Sequence, residues 1–340
     1  MNNDKILWIN GKFLSAPVTG VQRFARGMCK ALHEKGCQLK ILVNRDHDRE
    51  FEYGELVEIG KQKGVLWEQV ELPRYLKRCG NPFLLNFCNV APLIYSRNFI
   101  VIHDLAVFDH PEWFSKRFSF WYRWIIPKLV KKSQLATVSG FSKTALVNKF
   151  NLVSKDILVL PNGVYFDKSN FDENISVESP YILAVGSHSP RKGLGQLIKA
   201  FSKADLPNVN LYIVGSGSHH FSGIEKLNTE RIKWVEVIND AKLCSLYRGC
   251  KVVVQPSFYE GFGLPILEGL FFKKQVLAND LAVFRELFGN SIKYTNTLDT
   301  EVFSKDLTDI YYSDNKNTIP FPEHLSFDKS ASKLLQNLNN

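Results

Sequence analysis

The sequence predicts an α/β protein made of two parallel-sheet units, and three observations carry that expectation. Short apolar runs alternate with amphipathic segments along the whole chain, the pattern of strands joined by crossover helices. The alternation occurs in two series separated by a polar stretch, Asp167 to Glu178, which reads as a linker. At 340 residues the chain also exceeds what one compact core normally supports.

In the first series the candidate strands are Lys5–Ile9, Gln38–Val43, Leu84–Phe87, Phe99–His103, Leu135–Ser139 and Ile157–Leu160, with helices over Val21–Lys35 and Phe141–Lys149. The second series runs Tyr181–Gly186, Val209–Val214, Lys233–Val237, Lys251–Gln255 and Gln275–Ala278. A last helical pattern covers Phe327–Leu338. The domains expected are 1–165 and 166–326, followed by a terminal helix in 327–340. No internal repeat or low-complexity tract interrupts them.

Composition excludes several classes. Hydrophobic residues make up 45% and charged residues 23%, an ordinary globular balance. No stretch approaches the roughly 18 to 20 apolar residues of a membrane span, and Met1-Asn2-Asn3-Asp4-Lys5 has no signal-peptide pattern. The six cysteines form no CxxC pair, which speaks against a zinc site or a disulfide framework. A cytosolic, reduced protein is expected. Charge is uneven: residues 1–165 hold 24 basic and 14 acidic residues, whereas 166–340 hold 19 and 20. From Trp113 to Lys155 there are nine Lys/Arg and no Asp/Glu, so the first half is the one expected to meet an anionic partner.

The most informative segment is Ser257-Phe258-Tyr259-Glu260-Gly261-Phe262-Gly263-Leu264-Pro265-Ile266-Leu267-Glu268. It follows the apolar run Val252-Val253-Val254-Gln255 and leads into a helix start with Pro265 in its first turn. Strand, glycine loop and helix N-terminus together form an anion site, because unpaired N–H groups and the positive end of the helix dipole converge there. Two carboxylates beside such a site suit a ligand carrying phosphate and hydroxyl groups, such as a sugar nucleotide. Tyr181-Ile182-Leu183-Ala184-Val185-Gly186-Ser187-His188-Ser189-Pro190-Arg191-Lys192-Gly193 supplies a strand, a turn and two adjacent cations suited to a diphosphate.

These residues resemble the Glu-x7-Glu signature and the Gly-Ser-x-x-Pro-Arg-Lys motif of retaining family 4 glycosyltransferases. Val101-Ile102-His103-Asp104-Leu105 with His110-Pro111-Glu112-Trp113 resembles the bacterial hexosyl transferases of that family, as do Asn86–Leu93 and Thr137–Lys143, where Gly140 replaces the family glutamate. Phe272-Lys273-Lys274-Gln275-Val276 departs from the family's usual tail after the second glutamate, which touches the donor-sugar pocket. The resemblance implies the GT-B fold, two facing Rossmann-like domains with a cleft between them. In many relatives the last helix crosses back onto the first domain; for 327–340 the expectation is open between such a return and a chain too short to make it.

The resemblance also implies roles. Lys192 and Arg191 would contact the donor diphosphate, Glu268 the ribose, Glu260 the donor sugar, and His103 the sugar or acceptor. Gly20, in Pro17-Val18-Thr19-Gly20-Val21, and Gly186 would approach the donor, Ile238 the base, and Gly261, Phe262, Gly263 and Leu264 the nucleotide. Val214-Gly215-Ser216-Gly217 lacks the third glycine of a dinucleotide motif, so no NAD is expected. Asp46-His47-Asp48 is the only metal-like pattern and is expected to be a solvated loop. No metal or other cofactor is expected. No nucleic-acid-binding motif is present.

The resulting expectation is a retaining, metal-independent hexosyltransferase that uses a nucleotide diphosphate sugar and a glycan acceptor, lipid-linked in many relatives, in bacterial surface polysaccharide synthesis. The rivals are a sugar-nucleotide epimerase or hydrolase and a non-catalytic glycan- or lipid-binding module. The aromatic stripe Phe114, Phe118, Trp121, Ile125 and Leu129, with its interleaved cations, reads either as core or as a contact with anionic membrane over 113–155 at the inner face. Pro127 is expected to interrupt that helix.

Overall fold

The computed structural model describes residues 6–166, 180–215, 230–236, 239–313 and 320–339. The chain divides into two compact units, one comprising Met1–Tyr165 with His324–Asn340, the other Phe166–Glu323. The expected linker, Asp167 to Glu178, lies outside the described residues.

Unit 1 contains β1 (Leu7–Asn10), β2 (Leu39–Val43), β3 (Glu55–Glu58), β4 (Leu84–Asn86), β5 (Asn98–Val101), β6 (Gln134–Thr137) and β7 (Ile157–Val159). They form one parallel sheet in the order β3-β2-β1-β4-β5-β6-β7, with Trp8 opposite Leu84 in register. β3 was not read from the sequence. Its Glu-Leu-Val-Glu is an edge strand with exposed and half-buried residues, so it lacks the apolar run by which the interior strands are recognised. The helix Gly20–Glu34 packs Phe24, Ala25, Met28 and Leu32 inward. Phe327–Asn339 lies against it, with the Phe327 ring edge-on to Phe24 and Ser330 Oγ donating to the Pro161 carbonyl. The terminal helix therefore belongs to unit 1, although the sequence places it at the end of the second series.

The helix Lys116–Leu129 continues through Pro127, which corrects the expected interruption. The hydrogen bond that Pro127 forfeits is the one to the Arg123 carbonyl, and so close to the helix end its loss does not stop the last turn. The stripe also divides. Ile125 and Leu129 are buried and Trp121 is half-buried, but Phe118 is exposed, as are Phe120 and Trp124 from outside the stripe.

Unit 2 contains β8 (Tyr181–Val185), β9 (Asn210–Val214), β10 (Ile232–Val235), β11 (Val252–Gln255), β12 (Gln275–Asn279) and β13 (Lys293–Thr295) in the parallel order β10-β9-β8-β11-β12-β13. Its core gathers Ile182, Ala184, Leu197, Phe201, Leu211, Ile213, Val252, Val254 and Phe303. β13 escaped the sequence reading because Lys-Tyr-Thr is short and polar. Both sheets reverse direction of winding between their first and fourth strands, where a doubly wound sheet opens a crevice at the carboxyl ends. Among the described residues no helix is long and apolar enough to cross a membrane, and all six cysteines are free.

Candidate active site

The crevice of unit 2 lies at the ends of β8 and β11, and the local sequence explains how it is furnished. After β8, Gly186 N–H donates to the Val214 carbonyl, and the chain turns through the 3-10 segment Pro190–Lys192 to Gly193. Gly193 has φ +64°, and a Cβ there would stand 2.2 Å from the Pro256 carbonyl oxygen. Only glycine lets the turn press on the residues that follow β11. Phe258 N–H donates to the Arg191 carbonyl at 2.7 Å, fixing the two loops together.

That docking brings Lys192 to Glu260. Its Nζ lies 2.5 Å from Glu260 Oε1, and the side chains are only 12% and 8% exposed. The lysine stem runs alongside Gly186. Ser257 Oγ donates to the same carboxylate oxygen at 2.8 Å and Gln255 Nε2 at 3.0 Å, while Gln255 also donates to Ser257. Burial by itself raises a carboxyl's pKa. Here the Lys192 and Arg191 charges and the hydrogen bonds from Lys192 and Ser257 outweigh it and hold Glu260 below the usual carboxylate range. Glu260 is thus a desolvated carboxylate, and all three donors converge on Oε1.

Beyond Glu260 the loop passes through buried Gly261 and Phe262, whose ring meets Phe288 edge-on. Gly263, at φ +105°, caps the helix Leu264–Phe271; a Cβ there would lie 2.6 Å from the Phe284 ring. Glu268 projects from the same helix and is buried, its Oε2 accepting from the Tyr247 hydroxyl at 2.6 Å. Tyr247 in turn stacks on Phe272. The two glutamates are therefore served by different partners, Glu260 by the lysine turn and Glu268 by the helix Asp240–Gly249.

His103 and Gly20 belong to unit 1. Gly20 opens the helix Gly20–Glu34 at an exposed position, where Thr19 N–H donates to the Gln22 side chain. His103 follows β5 and is buried. Its Nε2–H donates to the Phe87 carbonyl at 2.8 Å, its backbone N–H to Asn89 Oδ1, and its ring sits edge-on to Phe24. Burial lowers its pKa, only partly offset by the Phe87 hydrogen bond and the Asp104 charge, so the ring is neutral with Nδ1 as acceptor. Ile238 lies outside the described residues, as do the residues after Gly215 in the Gly-x-Gly.

Sequence reasoning missed Gln255, Ser257 and Tyr247. Gln255 had a signal, a polar residue closing an otherwise apolar strand. Tyr247 had none, because its pairing with Glu268 depends on how two helices meet. Asp46-His47-Asp48 is tied up locally, with Asp48 on Arg26 at 2.7 Å, Asp46 paired to Lys63, and His47 Nδ1 on the Asn44 carbonyl. Among the described residues no group of three or more His, Cys, Asp or Glu could hold a metal ion. A cavity of about 550 Å³ in unit 1, lined by residues including His33, Gln38 and Glu55, opens at the amino ends of β1 and β2, opposite the edge where parallel sheets bind ligands.

Comparison with known proteins agrees with the two-unit parallel-sheet architecture. Over 244 residues the chain is 27% identical to the O-antigen chain mannosyltransferase RfbU of Salmonella typhimurium, covering 70% of this chain and 67% of that protein. It is 26% identical to the serotype-specific mannosyltransferase WbdA of Escherichia coli, but spans only 33% of that protein's length. Among solved structures, sucrose-phosphate synthase from Thermosynechococcus elongatus superposes with a TM-score of 0.73 at 17% identity, covering 98% of each chain. Anabaena HepE in complex with UDP and glucose gives 0.72 at 17% identity, covering 98% of this chain and 99% of that one. The two Rossmann-like units are those of the GT-B fold. The profile of the family described as "Glycosyl transferases group 1" matches residues 166–337, and the chain belongs to that family.

Proposed function

We propose that the protein is a retaining hexosyltransferase that moves a hexose, mannose in the first instance, from a nucleotide diphosphate sugar to a hydroxyl of a growing, lipid-linked bacterial surface glycan. The observation that carries this reading is the buried Lys192–Glu260 pair at the carboxyl ends of β8 and β11. A cation and a carboxylate held together there suit a ligand that is diphosphate on one side and polyol on the other. The names of RfbU and WbdA support mannose and O-antigen chains.

In this reading Lys192 and Arg191 stabilise charge on the departing diphosphate, aided by the N–H groups of Gly263 and Leu264 at the start of the helix Leu264–Phe271. They supply the electrostatics that a divalent ion supplies in other transferases, so no metal is required. Glu260 binds hydroxyls of the donor sugar and Glu268 those of the ribose. The acceptor attacks on the face the nucleotide leaves, and the departing phosphate oxygen takes its proton. A neutral His103 accepts from a sugar hydroxyl through Nδ1. The protein then works mainly by positioning and charge stabilisation.

Calorimetric titration of UDP, GDP and dTDP into wild type and Glu268→Ala, with chelator present, tests the donor site. Tight binding of one nucleotide to wild type alone is expected. Equal binding to both proteins would remove Glu268 from the ribose, and absence of any binding would favour a non-catalytic module. Product analysis with and without glycan acceptor separates transfer from epimerisation or hydrolysis.

Contact with an anionic membrane surface through 113–155 belongs to the same reading. Phe120, Trp124 and Phe118 are 73%, 42% and 40% exposed, interleaved with Lys116, Arg117, Arg123 and Lys128. Aromatic side chains with cations on one exposed helix suit the headgroup boundary, where the acceptor's lipid would reside.

A further inference from the structure

Unit 1 repeats, with different residues, the arrangement that furnishes the crevice of unit 2. In both sheets the reversal of winding falls between the first and fourth strands in chain order, β1 and β4 in unit 1, β8 and β11 in unit 2. In unit 2 the site there is a Lys–Glu pair braced by a strand-end amide, Gln255 Nε2 on Glu260. In unit 1 it is Lys12 and Glu68, Nζ to Oε2 at 2.7 Å, braced by Asn10 at the end of β1, whose Nδ2 donates to Glu68 Oε1 at 3.1 Å.

The surroundings hold this second pair in place. Asn10 Nδ2 also donates to Asn86 Oδ1 at the end of β4, at 2.9 Å, so a bond crosses the reversal point itself. Asn86 is anchored by donating to the Leu84 and Phe99 carbonyls. Asn10 Oδ1 accepts from Lys12 N–H and so fixes the turn that carries the lysine. Glu68 stands on the π-helical turn Trp67–Glu71, which is pinned by the fully buried Trp67 through Nε1 to the Ile59 carbonyl. A π turn of this kind places a side chain that a regular helix would aim elsewhere.

The pair is asymmetric in access. The Lys12 side chain is 33% exposed, whereas that of Glu68 is 3%. A buried carboxylate is costly unless fully bonded; here it fixes an ammonium that a ligand can reach. The Lys12–Glu68 pair is neutral as a unit, and Lys12 stands between Gly11 and Phe13 with no adjacent cation of the kind Arg191 gives Lys192, so it suits the hydroxyls of a neutral sugar better than a diphosphate. Cys88 beside it does not add a nucleophile, because burial and the Glu68 charge push its thiol up to about 12. The next carboxyl end along the sheet, that of β5, leads to His103.

We infer that Lys12 recognises the acceptor, its ammonium donating to a sugar hydroxyl of the glycan that receives the hexose, and that Glu68 is the positioning residue that aims it. This rests on the transferase reading above and adds the acceptor's side of the reaction to it.

The test is initial-rate kinetics of the full chain with membranes carrying lipid-linked glycan from cells lacking this protein, and GDP-, UDP- and dTDP-hexoses as donors. Lys12→Ala is expected to raise the acceptor KM about tenfold, the order of one lost charge-assisted hydrogen bond, with donor KM and nucleotide binding unchanged. Lys12→Arg, which keeps the cation on Glu68, is expected to restore most of the loss. Glu68→Gln, which leaves Lys12 in place but frees it, is expected to raise the acceptor KM without altering the donor KM. Thermal unfolding of each variant separates misfolding from lost recognition, and Lys12→Arg reports on the site even where Lys12→Ala is unstable. Transfer by wild type with acceptor KM unchanged in Lys12→Ala and Glu68→Gln would overturn this inference alone. No transfer by wild type with any donor would overturn the transferase reading, and this inference with it.

Discussion

Lys192 Nζ and Glu260 Oε1 are 2.5 Å apart although the residues are separated by 68 positions, and both side chains are nearly sealed from water. Removing one partner leaves the other as an uncompensated buried charge, which typically costs about 3–5 kcal/mol. Lys192→Ala is therefore expected to lower stability on that scale and to reduce transfer about 10²–10³-fold. Chemical denaturation and kcat measure the two effects. Replacing both residues by a Met–Gln pair should recover stability but not activity.

The same pair sets an acid limit. Glu260 lies below its ordinary value of 4.5 in the folded protein, so the unfolded chain binds its proton first as pH falls. The stability it contributes is fully present above about pH 4.5 and is lost as pH drops through the depressed folded value. The difference in unfolding free energy between wild type and Glu260→Gln should be flat from pH 7 to 5 and shrink below. A difference that grew on acidification would contradict the assignment.

Glu268 and Tyr247 form a separate unit. Tyr247→Phe removes the hydroxyl that donates to Glu268 Oε2 and is expected to cost about 1–3 kcal/mol of stability. Nucleotide affinity should fall less than in Glu268→Ala, because the carboxylate itself remains. Calorimetry on both variants orders them.

His103 is neutral because burial depresses its pKa. Below its ordinary value of 6.5 the unfolded chain takes up a proton that the folded protein resists, so wild type loses stability as pH falls from 6.5 toward the depressed value. His103→Gln should flatten that slope, and it should lower kcat through loss of Nδ1. An unchanged slope in thermal melts between pH 7 and 5 would show that the ring is protonated in the fold.

The exposed aromatics predict a membrane phenotype. Phe120→Ala with Trp124→Ala should reduce sedimentation with vesicles containing phosphatidylglycerol by several-fold, while leaving nucleotide binding untouched. Equal sedimentation with purely zwitterionic vesicles would remove the role of the cations.

Much of this was legible in the chain. Two series of strands and helices, the strand interiors and the Glu260–Glu268 loop all follow from local pattern, since side-chain period and glycine turns are written residue by residue. The edge strands β3 and β13 were not, because an edge position buries too little to require an apolar run. Pro127 misled for the converse reason: a rule about helix interiors yields near a helix end.

What the sequence determined by itself was the architecture and the inventory of charged groups near each loop. The partnerships were decided only by tertiary structure. Lys192 meets Glu260, and Lys12 meets Glu68 across 56 positions, because parallel sheets gather the carboxyl ends of strands distant in sequence. Whether a carboxylate is buried, and which donor compensates it, depends on that gathering and on no local pattern. The terminal helix likewise joins unit 1 because Phe327 finds Phe24, an apolar contact that linear order does not foretell.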